Sequence, residues 1–240
     1  MAILCRRRIY AKRMSDVLQD YTKATALDIS DLEVVFEGRT ILQDFSMQVA
    51  QGEKVVLAGP SGCGKSTLLK CLLGLVIPQK GTILIHGQEL DRDTVWDIRR
   101  QIAYVTQEPE FAPGTVKDAL QQPFSYKANA DLHENLNRIP DLFRHFNLSS
   151  DLLAKDTTTL SGGEKQRIAL ISALLLDRPI ILLDEVVSAL DKENKQAVAD
   201  FFQETQDKTV VSIAHDTSWF DFADRIVQMT PNINGARDSS

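Results

Sequence analysis

Gly59, Gly64, Lys65 and Ser66 stand at the spacing G-x-x-x-x-G-K-[ST] within the run Gly59-Pro60-Ser61-Gly62-Cys63-Gly64-Lys65-Ser66-Thr67. Residues of these types at this spacing cradle a polyphosphate. The glycines let the main chain turn tightly enough for several N–H groups to converge on an anion, and a helix N-terminus adds partial positive charge. In such a loop the lysine, here Lys65, reaches the β- and γ-phosphates, and the hydroxyl, here Ser66, holds Mg²⁺. The competing reading is a glycine turn that merely caps a core helix. The flanks weigh against it: Val55-Val56-Leu57-Ala58 reads as a buried strand, and Leu68, Leu72 and Leu75 recur at helical spacing.

A second constellation is Leu160-Ser161-Gly162-Gly163-Glu164-Lys165-Gln166-Arg167. Ser161 and Glu164 form S-x-x-E ahead of Ile168, Ile171, Leu174 and Leu175, a capping box opening an amphipathic helix. Capping alone does not call for successive glycines, which cost backbone entropy in a first turn. Gly162 and Gly163 let an anion approach the free N–H groups closely, so this is a second anion-binding helix terminus.

Ile180-Ile181-Leu182-Leu183 reads as a buried parallel strand running into Asp184-Glu185. Ligands in open α/β sheets bind at the carboxyl ends of strands, where these carboxylates fall. Neighbouring strand residues face opposite sides, so their roles separate. Asp184 suits Mg²⁺; Glu185 suits polarising the water that attacks a γ-phosphate. Ser188-Ala189-Leu190-Asp191 follows, then a helix with Val198, Phe201 and Phe202 on one side, then the strand Thr209-Val210-Val211-Ser212-Ile213-Ala214, which delivers His215 to the same sheet edge.

The elements that must carry these residues point to an α/β fold. In front of the loop strand, Leu32, Val34 and Phe36 alternate with polar neighbours, Glu37-Gly38-Arg39 makes a turn, and Ile41 to Val49 continues the alternation, which implies an antiparallel sheet. Strands are expected at 82–87, where His86 reads as structural, and at 102–105, ending at Thr106-Gln107. Pro109, Pro113 and Gly114 then break the chain. Residues 115–155 are mostly polar, with helical spacing in Leu132, Leu136, Leu142 and Phe146, so a small helical subdomain of about residues 109–175 is inserted in the core.

Composition sets the limits. The chain has 240 residues, 43% of them hydrophobic, enough for a sizeable core. A net charge of −6 gives no global push toward nucleic acid, which is not an expected partner. Cys5, Cys63 and Cys71 have no ligand spacing and imply a reducing compartment. Lys70, Asp177, Arg178 and Asp184 cut the apolar stretches short of a membrane span. Residues 1–26 read as an appendage. Its cluster of Arg6, Arg7, Arg8, Lys12 and Arg13 before Met14 is open to three readings: a solvated tail, a start placed too early, or a contact with anionic lipid. Residues 231–240 read as a polar tail.

Taken in order, residues 59–67, Gln107, Leu160-Ser161-Gly162-Gly163-Glu164, Leu182-Leu183-Asp184-Glu185, Ser188-Ala189-Leu190-Asp191 and His215 resemble the motif series of ATP-binding-cassette (ABC) ATPases, over roughly residues 27–230. The resemblance implies a RecA-like P-loop NTPase core, a front antiparallel β-subdomain contacting adenine and an inserted α-helical subdomain. It implies ATP and Mg²⁺ as cofactors and a head-to-tail homodimer. Each ATP is then bound by one subunit's residues 59–67 and covered by the other's Ser161, Gly162, Gly163 and Glu164. By position Phe36 takes the place of the tyrosine that stacks on adenine, Gln107 senses Mg²⁺ and the attacking water, Asp184 assists with Mg²⁺, Glu185 is the catalytic base, and His215 contacts the γ-phosphate. Val186-Val187 departs from the usual proline or alanine followed by threonine, with no catalytic group lost.

The work driven by ATP stays open between two classes. One is a transporter, with a separate multi-span permease and the ATPase peripheral on the cytoplasmic face of the inner or plasma membrane. The other is a soluble assembly factor, as in iron–sulfur cluster biogenesis. A long coiled coil, as in repair ATPases, has no room here, and a second cassette, as in translation factors, is not present. Gly163-Glu164-Lys165-Gln166-Arg167-Ile168, Ser188 to Asp191 with Asn194-Lys195, and the short segment between Gln107 and Ser161 are similar to the Fet-type ATPases linked to iron export.

Overall fold

A computed structural model describes residues 24–214 and 217–231. Two sheets organise them. The front sheet is antiparallel, in the order β2-β1-β4-β5, from β1 (Thr25–Phe36), β2 (Arg39–Ala50), β4 (Lys80–Ile85) and β5 (Gln88–Glu89). The core sheet is parallel, in the order β6-β7-β8-β3-β9, from β6 (Ile102–Val105), β7 (Ile180–Asp184), β8 (Thr209–Ile213), β3 (Lys54–Ala58) and β9 (Arg225–Gln228). Because all its strands run one way, the turns leaving β3, β6, β7 and β8 open on a single edge.

Burial explains why the core strands read as unbroken apolar runs. Val55, Leu57, Ile102, Ile180, Leu182, Val211 and Ile213 join the cluster that also holds Leu27, Ile29, Leu68 and Leu72. Their alternates Val56, Ala103, Val105, Ile181, Leu183 and Val210 join a second cluster with Ile168, Ile171, Phe146, Val198 and Phe202. A sheet covered on both faces needs an apolar residue at every position. The front sheet and α1 (Lys65–Leu72) cover one face; α5 (Gly162–Leu175) and α6 (Lys192–Glu204) cover the other.

Three local readings change. Leu75 lies past the end of α1 and is 60% exposed. Gly74, at φ 62°, stops the helix: its N–H and that of Leu75 close back on the carbonyls of Cys71 and Lys70, a Schellman ending. Leu132 and Leu136 fall in a run of 3₁₀ turns (Lys127–Arg138) instead of an α-helix. Side chains there compete for the main chain: Asn129 donates to Pro123 O, Asn135 donates to Leu175 O, and a His133 ring nitrogen bonds Phe124 O. Only α2 (Val95–Arg99), α3 (Val116–Gln121) and α4 (Ile139–His145) between β5 and α5 are α-helical, all short. Phe36 continues the alternation of β1 but is 63% exposed at the hairpin tip. As expected, His86 is structural, its Nδ1 bonding Gln101 Oε1 at 2.7 Å.

Candidate functional site

The phosphate loop leaves β3 and enters α1 at Gly64. Gly59 has φ 152°, and a Cβ there would lie 2.3 Å from the Met229 carbonyl oxygen; Gly64 has φ 99°, with Leu42 Cδ2 2.6 Å from where its Cβ would be. Both positions therefore require glycine. The loop wraps its own lysine: Lys65 Nζ donates to the carbonyls of Gly59 at 2.8 Å and Pro60 at 3.0 Å, and lies 3.8 Å from Cys63 Sγ. Cys63 is buried beneath the loop.

Strand parity places the opposite wall. Asp184 shares the face of Ile180 and Leu182, the α1 side of the sheet. There its Oδ1 accepts from Ser66 Oγ at 3.1 Å and its Oδ2 from Tyr104 Oη at 3.1 Å. Tyr104 reaches it because Ile102 and Tyr104 point to that same face, one strand away. Burial, and then the Asp184 carboxylate, push the Tyr104 hydroxyl well above its ordinary pKa, so it stays a donor. Glu185 sits at φ 51°, so the chain leaves the strand at this residue. Its Oε2 accepts from Gln107 Nε2 at 2.9 Å. Ser188 then donates its N–H, at 3.0 Å, and its Oγ, at 2.8 Å, to Glu185 O, which fixes the exit turn.

Between the walls lies an open cleft of about 520 Å³ lined by Ser61, Gly62, Gly64, Lys65, Ser66, Thr67, Gln107 and Glu185, with Arg39 and Ile41 from β2. That volume suits a nucleotide-sized ligand. On α5 the capping box is formed in full: Ser161 Oγ accepts from Glu164 N at 3.3 Å, and Glu164 Oε2 accepts from Ser161 N at 2.8 Å. That bond from the Ser161 N–H is the main reason the Glu164 carboxyl sits below its ordinary pKa; Lys155 Nζ, 3.6 Å away, adds to it. The glycines also let the helix start pack closely, since a Cβ on Gly163 would lie 3.2 Å from Ala189 O.

The family model described as "ABC transporter" matches residues 42–188, and with it the loop, the capped helix and the Asp-Glu strand. The chain belongs to the ABC transporter family. It is an ABC ATPase, the nucleotide-binding subunit of a transporter. A similar relative is the "Probable iron export ATP-binding protein FetA" of Escherichia coli strain K12, 35% identical over 80% of this chain and 85% of the relative. Another is the "Energy-coupling factor transporter ATP-binding protein EcfA1" of Enterococcus faecalis, 37% identical over 78% of this chain and 68% of the relative. Among solved structures, a dimeric post-hydrolysis state of an ATP-binding cassette bound to ADP and Pi superposes with TM-score 0.74 at 28% identity, covering 86% of this chain and 96% of that one. The expected fold, a P-loop core with a front antiparallel sheet, is the observed one.

In this ABC ATPase the structure brings Lys65, Ser66, Gln107, Asp184 and Glu185 together. Ser161, Gly162, Gly163 and Glu164 stand apart, outside the residues that line the cleft. Phe36 is also outside that lining, which β2 supplies through Arg39 and Ile41 instead. His215 lies outside the described residues, as do the basic cluster of residues 6–13 and positions 232–240. Two residues of the cassette carry no local mark of their contacts in the sequence. Tyr104 shares the parity of Ile102, but its contact with Asp184 follows only from the pairing of β6 with β7. Arg167 stands in the sequence as the last residue of the Leu160–Arg167 motif. It donates to the carbonyls of Gly163, Phe146 and Asn147 and to Asn194 Oδ1, tying α5 to the turn after α4 and to the start of α6.

Proposed function

We propose that the cleft holds Mg²⁺·ATP, that two copies of the chain close head to tail over two nucleotides, and that hydrolysis drives a separate multi-span permease from the cytoplasmic face of the membrane. The observation that supports this reading most directly is the Gln107–Glu185 contact of 2.9 Å, set across the cleft from the phosphate loop. A general base must sit within hydrogen-bond reach of the water it activates, and Gln107 is placed to hold that water against Glu185. The loop amides of residues 59–67 take the phosphates. Lys65 exchanges the Gly59 and Pro60 carbonyls for β- and γ-phosphate oxygens, and Phe36 offers a ring face to adenine at the hairpin tip. His215 contacts the γ-phosphate. Ser161, Gly162, Gly163 and Glu164 cover the nucleotide of the partner subunit, where helix N–H groups add donors for the developing charge.

The Ser66 hydroxyl and Asp184 carboxylate meet at 3.1 Å, an all-oxygen pair suited to a hard cation. Mg²⁺ held by Ser66, Asp184 and Gln107 would neutralise charge on the β- and γ-phosphates. The family unit spans about residues 27–230, with residues 109–175 as the helical subdomain. No helix among the described residues is long and apolar enough to cross a membrane. Iron is the cargo we assign, on the likeness to the FetA relative.

Two measurements test this. Glu185→Gln should lower ATP hydrolysis by about 10²–10⁴-fold; an unchanged rate would remove Glu185 from the mechanism. Tagged Glu185→Gln protein purified from native membranes with ATP should bring a multi-span membrane protein with it. Recovery of soluble proteins alone would contradict the transporter coupling.

A further inference from the structure

The hairpin that carries Phe36 is held on both flanks, but by different means. On one flank of β1, Val35 pairs with Thr40 and Phe36 with Arg39 of β2, around the turn Glu37-Gly38. On the other flank β4 pairs as far as Glu33, opposite Lys80, and Gln79 N donates to Glu33 O just beyond it. Continuing that antiparallel register sets Pro78 against Val35, and proline has no N–H to give. The Gln79 side chain takes the missing place: its Oε1 accepts from Val35 N at 2.6 Å, and its Nε2 donates to Val35 O at 3.3 Å. One amide thus reproduces both bonds of a strand partner, at the residue before Phe36.

A ribbon of two strands is marginal in water, and beyond Val35 the hairpin has no third strand beside it. With 63% of its surface exposed, Phe36 draws its placement from the main chain more than from packing. Arg39, its pair across the hairpin, lines the cleft with Ile41, so the direction of the tip decides where the Phe36 ring stands relative to the phosphate loop. Gln79 itself is exposed and lies outside the cleft lining. We infer that Gln79 is a positioning residue for recognition of the nucleotide base: its amide holds the edge of β1 at Val35, so that Phe36 meets the flat face of the base already oriented and less ordering is left for binding to supply. This rests on the reading of Phe36 given above.

The test is a double-mutant cycle in Mg²⁺·ATP affinity, read by calorimetric titration of the full-length protein as wild type, Gln79→Ala, Phe36→Ala and the double variant. Phe36→Ala should weaken ATP binding about fivefold, the loss of one stacking face. Gln79→Ala should weaken it about threefold, through two exposed hydrogen bonds that hold the hairpin. The double variant should bind no more weakly than Phe36→Ala. Mg²⁺·tripolyphosphate, which has no base, should bind wild type and Gln79→Ala alike. Wild-type ATP affinity in Gln79→Ala overturns the assignment, as does a loss that persists in full on the Phe36→Ala background or one that is equal for tripolyphosphate. Unchanged ATP affinity in Phe36→Ala overturns the adenine reading first, and this inference with it.

Discussion

Asp184 has both carboxylate oxygens engaged, Oδ1 by Ser66 and Oδ2 by Tyr104. Tyr104 thus fixes the rotation of the carboxylate, leaving the Ser66 side for the Mg²⁺ we propose. Tyr104→Phe keeps the ring and removes one hydrogen bond, worth about 1 kcal/mol. The Mg²⁺ concentration for half-maximal hydrolysis should rise about fivefold, while ATP affinity measured in EDTA stays the same. Equal weakening with and without Mg²⁺ would show that the tyrosine supports the loop and not the metal site. Individual roles were legible where a residue type is chemically constrained at fixed spacing, as with Gly59, Gly64, Lys65 and Ser66. Tyr104 was not, because nothing local distinguishes it from any aromatic packed on a core strand. Its partner lies 80 positions away.

At the scale of elements, α5 opens on a capping box whose parts sit three residues apart, and for that reason it could be read from the sequence. Ser161→Ala should cost about 1 kcal/mol, seen as a fall of about 2–4 °C in the thermal midpoint. Glu164 adds a pH dependence of definite sign. Its folded pKa lies below the ordinary 4.5, so its contribution is complete above that value and is lost as pH falls through the lowered one. Wild type should therefore exceed Glu164→Gln in unfolding free energy at pH 7, by about 0.5 kcal/mol. The two should converge in acid; a gap that persists well below pH 4.5 would mean that charge is not the cause. Elements whose form depends on distant partners were harder to read. The leucine spacing at 132–136 is compatible with an α-helix, yet Asn129, His133 and Asn135 turn to main-chain groups elsewhere and the segment takes 3₁₀ turns. Leu75 keeps helical spacing from Leu72, but Gly74 had already ended the helix.

For the whole molecule, the parallel core sheet gathers the ends of β3, β6 and β7 on one edge, and that topology converts motifs scattered from Gly59 to Glu185 into one cleft. The class of sheet could be read from uniformly apolar strands and the front sheet from alternation. Strand order could not, since burial on both faces erases any mark of which strand is whose neighbour. The capped start of α5 is well formed but outside the cleft lining, and the proposed function gives it the partner subunit's nucleotide. The proposed mechanism accordingly needs a second copy of the chain. The deciding measurement is the mass in solution of purified Glu185→Gln protein by light scattering, with and without Mg²⁺·ATP. The 26.8 kDa chain should be monomeric alone and double in mass with ATP, and Ser161→Arg should abolish the doubling while leaving ATP binding in place. A Glu185→Gln protein that binds ATP and stays monomeric at every concentration tested would contradict the account.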